Sequence, residues 1–569
     1  SVSFVITDLI GTKTGVGDIV GTLGFADELV ALVACPAWGL VSDRLGVRWV
    51  SAMGYTIIGL ALMIFVQARN VYPQLLLARI LFAVGGSAAA TMVTATLPCL
   101  TDDTGAVESK DGPDGKQQSR VSRQSIAFSV ESEATITPER YTRLASAYAQ
   151  STTRSKASTL SGYVGLATGC GALVALSLFL PLPTRFGSRD GVTQAQAVAY
   201  SFYVVGSISL AVAVFVLFGL RNLKGEEGKG WGVLLGLRGG EEEASVNNDD
   251  DDDGGVGSSR NRRSRSQSLG GTAGYHYKAR RGSAIPYLRL MKESVLLGLS
   301  DSRIALGYVG GFVARASTVA ISLFIPLFVN TFFIGNGFCH GSPNDPSPEL
   351  KEECRAAYVL SSILTGVAQL AALVCAPVFG YLSRRRGPVN WPIVVSTVLG
   401  MVGYVVFPQL SSPELKDAGG RGGTPAILLV VSLIGISQIG AIVCSLGSLS
   451  QGVLTVEIPA HAAAAAAAHA AEASIAPDQD ESTEADPLIR ISTRDTRIER
   501  TRLKGSIAGV YSLCGGAAIL ILTKLGGYMF DRVSTGAPFY MMALFNGVLL
   551  VVSLLLDAAQ TYGNDGNRL

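Results

Sequence analysis

The apolar residues of this chain arrive in blocks of about twenty, the length an α-helix needs to cross the hydrocarbon core of a bilayer. The blocks fall at 20–41, 49–67, 74–99, 158–182, 198–220, 304–334, 357–382, 391–409, 425–455, 505–527 and 536–556. A length of 569 residues would otherwise suggest roughly three or four soluble domains. The charged fraction of 16% excludes that, since soluble domains carry about 25%. The mean hydropathy of +0.37 agrees. The expected fold is an all-α polytopic membrane protein. The net charge of +2 hides strong local segregation and gives no pointer to nucleic acid as a partner.

The chain opens at Ser1 rather than Met, and the stub SVSFVITDLI is too short to span. It reads as the tail of a further helix, which makes twelve spans the expected count. Most Lys and Arg lie on alternate connections, at 42–48, 101–157, 221–303, 384–386 and 490–504, and the positive-inside rule puts these in the cytosol. The expected organisation is an N-terminal helical bundle over 1–220, a central cytosolic loop over 221–303, a C-terminal bundle over 304–556 and a cytosolic tail over 557–569. The inserts 101–157 and 456–503 and the central loop are too polar and charge-blocked to order themselves. Within the central loop, PYLRLMKESVLLGL (286–299) is spaced either for an interfacial helix or for a stub of the next span.

The two halves share a pattern. GLVSDRLGVR at 39–48 and GYLSRRRG at 380–387 place glycine, serine, arginine and glycine at the same spacing, each after an out-to-in span. A repeat at the same topological place means duplicated bundles, a construction common among secondary transporters. The first copy resembles the loop signature Gly-x-x-x-Asp-Arg-x-Gly-x-Arg of the major facilitator superfamily, through Gly39, Asp43, Arg44, Gly46 and Arg48. LLLARILFAVGGSAAA, with Arg79 ahead of Gly85 and Gly86, is similar to that superfamily's arginine-and-glycine helix. The resemblance implies two six-helix bundles working by alternating access, with the first helix largely missing from this chain, and a gating latch made by the signature loop. In the second copy Arg384 stands where the acid would be, which implies a lost latch there. The subfamily stays open: the span SGYVGLATGCGALVAL only loosely resembles the drug/proton antiporters, lacking their proline, and RNLKGEEGKG replaces the sugar-porter motif.

Ionisable residues deep in spans are costly and point to function. Glu28 and Asp27 are the carboxylates well inside a span, about 10 Å below the outer surface at 1.5 Å per residue. They are the expected proton-coupling groups, Glu28 ahead of Asp27; a permanent ion pair is the alternative. Arg79 lies at similar depth and Arg315 near the midplane. In the superfamily's architecture their helices line the cavity, so both are expected to meet an anionic group, with Gln438 as a neutral contact. Glycines 162, 165, 169 and 171 read as close-approach positions.

Five of the eight cysteines lie in spans and read as packing residues, while Cys339 and Cys354 share one exoplasmic loop and are expected to form a disulfide. Histidines at ligand spacing, a phosphate-cradling loop and a nucleophile constellation are all missing, so no enzyme, metal or cofactor is expected. The loops carry short motifs for kinases at Ser266, Ser268 and Ser283, and an acidic dileucine-type signal for sorting adaptors at Glu484, Leu488 and Ile489. The signal points to a vacuolar or lysosome-like membrane, with the plasma membrane as the alternative. The expected function is secondary active transport of a small solute, coupled to protons; the competing reading is a nutrient sensor or scaffold that keeps the fold and signals through its loops.

Overall fold

The computed structural model describes residues 5–10, 16–107, 138–179, 182–187, 191–221, 223, 226, 229–234, 287–336, 355–384, 390–415, 423–454 and 503–566. Among these, 11 helices are long and apolar enough to cross a membrane. They are α1 (Gly21–Leu45), α2 (Val47–Phe65), α3 (Val71–Thr101), α4 (Lys156–Val174), α5 (Ala195–Gly219), α6 (Ser302–Gly335), α7 (Val359–Leu382), α8 (Trp391–Gln409), α9 (Ala426–Leu454), α10 (Lys504–Arg532) and α11 (Ala537–Ala559). The described residues contain no strand. This is a multi-pass membrane protein.

Where a span begins, the sequence supplies the cap. Thr193 and Gln196 exchange hydrogen bonds in a capping box ahead of α5, and Asp301 accepts from the backbone of Arg303 and Ile304 at the start of α6. Between spans, small residues let backbones approach, because lipid offers no hydrophobic drive for helix association. A Cβ on Gly85 would lie 2.9 Å from the carbonyl of Gly54, and one on Gly59 2.9 Å from the carbonyl of Gly206. These contacts tie α2 to α3 and α5.

In the second half α9 is buried on nearly every side, ringed by α6, α7 and α8. Its largest core cluster includes a stack of aromatic rings: Phe407 and Phe539 have centroids 4.8 Å apart, and Phe328 packs on both at 5.3 and 5.7 Å. The segment Val5–Leu9 forms one helical turn whose Val5 and Ile6 are buried with Leu23, Phe65 and Leu75. It therefore closes one end of the first bundle. The helix Tyr287–Ser300 precedes α6 as a separate element; Tyr308 donates to the carbonyl of Ser294 at 3.2 Å, while Leu299 is 81% exposed. One packed face and one exposed apolar face suit a helix lying along the bilayer surface.

The halves meet along α1–α10 and along α4 against α7 and α9. A Cβ on Gly162 would lie 2.9 Å from the Cα of Gly380, and Gly165 and Gly169 face Val443 and Leu373 as closely. These three glycines are close-approach positions, as their spacing suggests, whereas at Gly171 a Cβ would meet open space. Cys170 differs from the packing role expected of it: it is exposed.

Candidate functional site

The signature loop sits at one end of the interface between the halves. α10 begins without a side-chain cap of its own, so its first backbone N–H groups need an acceptor from elsewhere. Asp43, at the end of α1, supplies it. Gly505 N–H donates to Asp43 Oδ1 at 2.7 Å, Ser506 N–H donates to Oδ2 at 2.8 Å, and the Ser506 hydroxyl bonds to the same oxygen. A carboxylate at a helix N-terminus is favoured by the helix dipole. Gly39 lets the helices close: its Cβ would overlap the Gly505 carbonyl and lie 2.9 Å from the Gly509 Cα.

The rest of the loop braces this contact. Gly46 takes φ +97°, a left-handed turn that favours glycine, and leaves α2 without a side-chain cap. Arg48 Nε donates to the carbonyl of Leu217 at 2.6 Å, near the negative end of α5. Gly230 N–H donates to the backbone carbonyl of Arg44 at 3.1 Å. The uncapped Val47 N–H donates to Glu226 at 2.7 Å, and Lys229 pairs with Glu226 at 2.9 Å. Trp231 meets Trp49 edge to face at 6.2 Å, and Leu234 packs into the cluster holding Leu45, Val47 and Ala508. The start of the segment 221–303 is thus built into the latch. In the sequence RNLKGEEGKG the signal for Glu226 is slight: an acid three residues before Lys229 and five before Trp231.

The second copy of the pattern has neither half of such a latch. Arg384 is exposed and lies over the Tyr381 ring at 5.9 Å. The facing helix runs continuously from Pro138 to Val174, so it offers no free N-terminus there. Instead, Ser158 donates to the carbonyl of Ser383 at 3.3 Å, and Gln451 donates to Ser158 at 3.0 Å.

Deeper in the membrane the structure gathers charges from both halves. Asp27 on α1 is paired with Arg79 on α3. Glu28, the next residue, makes no hydrogen bond or ion pair among the described residues, yet the charges of Asp27, Arg315 and Arg79 all act on it. Arg315 comes from α6. Its aliphatic stem packs on Gly515 of α10, where a Cβ would lie 2.6 Å from its Cγ, and its guanidinium has no ion pair among the described residues. One turn along α6, Thr318 accepts from Gln438 Nε2 at 3.0 Å, and Gln369 donates to Gln438 Oε1 at 3.5 Å. Gln438 is 4% exposed with both ends of its amide engaged, so it orients neighbours more than it offers a free contact. Asn546, bonded to Ser437 and to the Met542 carbonyl, is structural.

Between this cluster and the latch lies an apolar plug. Tyr308, Leu446, Leu449, Val510 and Tyr511 from the second half pack with Leu97, Leu40, Leu160 and Val164 from the first. On the far side the Lys524 ammonium lies 4.0 Å above the Phe25 ring. Cys339, Cys354, Ser266, Ser268, Ser283, Glu484, Leu488 and Ile489 lie outside the described residues. Among the described residues no three His, Cys, Asp or Glu side chains are grouped to hold a metal.

The fold is similar to solved transporter structures at low identity. The Escherichia coli fucose:proton symporter FucP has 11% identity and a TM-score of 0.45, over 95% of this chain and 90% of that one. The proton:xylose symporter XylE has 11% identity and a TM-score of 0.48, over 97% and 89%. The human organic anion transporter MFSD10 has 11% identity and a TM-score of 0.44, over 97% and 87%. No curated protein matches the chain. The family model for the Major Facilitator Superfamily matches residues 142–474, more than half of the sequence. The chain belongs to the major facilitator superfamily of transporters.

Proposed function

We propose that this chain carries a small solute across its membrane by alternating access and couples that movement to protons at Glu28. The observation that supports it best is a carboxylate in the membrane interior that no basic group neutralises by direct contact. The groups facing it are Asp27 on its own helix, Arg79 on α3 and Arg315 on α6. Further along α1 are Cys35, near Arg315 and Glu28, and the Lys524–Phe25 contact to α10. Desolvation opposes charge on Glu28 and the two arginines favour it, so a change of water access between the two states tips the balance. Asp27, held by Arg79, is the weaker candidate.

The latch holds one of those states, with Asp43 closing the side that charge segregation assigns to the cytosol. Intact latch chemistry and retained interior charges favour transport over a sensor that keeps only the fold. The solute, lipid bilayer and protons are then the working partners, with kinases and sorting adaptors acting on the cytosolic loops. The dileucine-type segment at Glu484, Leu488 and Ile489 supports a vacuolar or lysosome-like membrane.

The test is reconstitution of the purified protein in vesicles under an imposed pH gradient, with a solute library and an internal pH dye. Solute-dependent proton movement is expected from the wild type. Glu28→Gln is expected to abolish it while the protein stays folded and inserted. Full pH-driven accumulation by that variant would remove Glu28 from the mechanism.

A further inference from the structure

Glu28 and the three charges that act on it balance, but they do not pair off. Asp27 and Arg79 neutralise each other within the first half. That leaves one negative group, Glu28 on α1, and one positive group, Arg315 on α6, on opposite halves of the molecule. They act on each other electrostatically, yet neither is in direct contact with a counter-ion among the described residues. Both lie well inside the span: Glu28 is 15 residues before Asp43, about 22 Å along the helix, and the Gly515 that carries Arg315 is about 15 Å from Gly505. Two opposite charges left apart at such depth are costly unless something lies between them.

The surroundings fix the positive end. Gly515 lets the Arg315 stem lie against α10, and the Thr318–Gln438–Gln369 chain starts one turn along α6 from Arg315. At the negative end, Asp27 Oδ1 and Arg79 Nε are buried without a hydrogen-bond partner, so the pair beside Glu28 has an acceptor and a donor to spare.

Each class of solute can be tried against this arrangement. A neutral solute leaves both charges uncompensated. A simple anion pairs with Arg315 but faces the Glu28 carboxylate, and a simple cation leaves Arg315 alone. A solute carrying both charges satisfies both groups at once and bridges the halves. We propose that the transported solute is a small zwitterion, its anionic group on Arg315 and its cationic group on Glu28. This rests on the reading of the charged cluster as the transport site. It also makes the proton and the cationic group rivals for one carboxylate, so the solute and the proton exchange rather than travel together.

The experiment uses the full chain, purified and reconstituted. Three matched sets of probes are compared by thermal stabilisation and by uptake: the twenty standard amino acids with trimethylglycine, carboxylates of the same skeletons lacking the amine, and amines lacking the carboxylate. At least one zwitterion is expected to stabilise and be taken up, and each of its half-analogues to bind at least about tenfold more weakly, as loss of one charged contact requires. Arg315→Gln should erase the preference over the amine, and Glu28→Gln the preference over the carboxylate. The proposal is overturned if no zwitterion in the set binds, or if a carboxylate or amine alone binds as tightly as its zwitterion. Proton coupling is read separately from internal pH. A zwitterion carried with no pH change removes the coupling but keeps the solute class, and a pH-coupled anion does the reverse.

Discussion

At the scale of single residues, the adjacent acids Asp27 and Glu28 have different surroundings because their side chains leave the helix about 100° apart and meet different neighbours. Asp27 and Arg79 are 14% and 24% exposed, between a surface pair and a fully buried one. Surface pairs contribute up to about 1 kcal/mol, and breaking a fully buried pair costs about 3–5 kcal/mol. Asp27→Asn alone or Arg79→Gln alone should therefore cost about 2 kcal/mol, because each leaves a charge without its partner. The double variant should recover much of that loss. Thermal unfolding of the four purified proteins checks it; equal losses that simply add would mean that the pair is not a unit. The sequence identified both acids and both arginines as interior charges, since depth follows from counting residues along an apolar run. It did not reveal that Arg79 pairs with Asp27 and leaves Glu28 open, because that choice depends on how α1 is rotated against α3.

At the scale of elements, the proposed latch is held together because two helices start without caps and borrow acids from elsewhere. α10 borrows Asp43, which is 462 residues from Gly505, and α2 borrows Glu226, which is 179 residues from Val47. Asp43→Ala removes two charge-assisted backbone bonds, each contributing about 1.5–3 kcal/mol before water replaces part of it. A shift of about 10- to 100-fold toward the state open on the latch side is expected, without loss of solute affinity. Gly39→Leu should act in the same direction by a steric route, since no side chain fits against Gly505 and Gly509. Labelling of the buried Cys35 by a membrane-impermeant maleimide, read on its own peptide by mass spectrometry, reports both changes. Unchanged labelling of both variants would mean that the contact does not gate. Glu226→Gln keeps a neutral acceptor for Val47 but loses the charge and the Lys229 pair. A smaller shift, a few-fold, is expected by the same readout. The spans were legible in the sequence because hydropathy is a local property, and Asp43 was legible through a motif. Glu226 was not, because an acid in a polar, glycine-rich stretch reads as solvated until a helix end is seen above it.

At the scale of the whole molecule, the eleven spans among the described residues, from two related halves, make an interface with charges in its middle, an apolar plug and the Asp43 contact on one side. The duplicated loop pattern showed that two bundles exist, and the missing acid in the second copy showed that they are not equivalent. The structure adds the reason: the continuous helix Pro138–Val174 gives an acid nothing to cap. Such asymmetry suits a gate whose closing is set by one contact, Asp43 on α10, with the second seam held by glycines and neutral serines. The proposed location rests on residues outside the spans. Glu484, Leu488 and Ile489 have the spacing of an acidic dileucine signal, an acid four residues before the first of two bulky aliphatics. Adaptors read such an address only from the cytosolic side. The end of α9 and the start of α10 lie at the same end of the molecule as the latch, because α10 starts at the latch and α9 ends beside Ile304 and the Ser158 contact. If the latch side is cytosolic, as the positive-inside rule predicts, a signal between these two helix ends is on the side that adaptors read. Leu488→Ala with Ile489→Ala is then expected to move a tagged protein from a vacuolar or lysosome-like membrane to the cell surface, leaving transport by the purified protein unchanged. Wild-type protein found at the cell surface, or a double variant that still reaches the internal membrane, would show that the match is accidental.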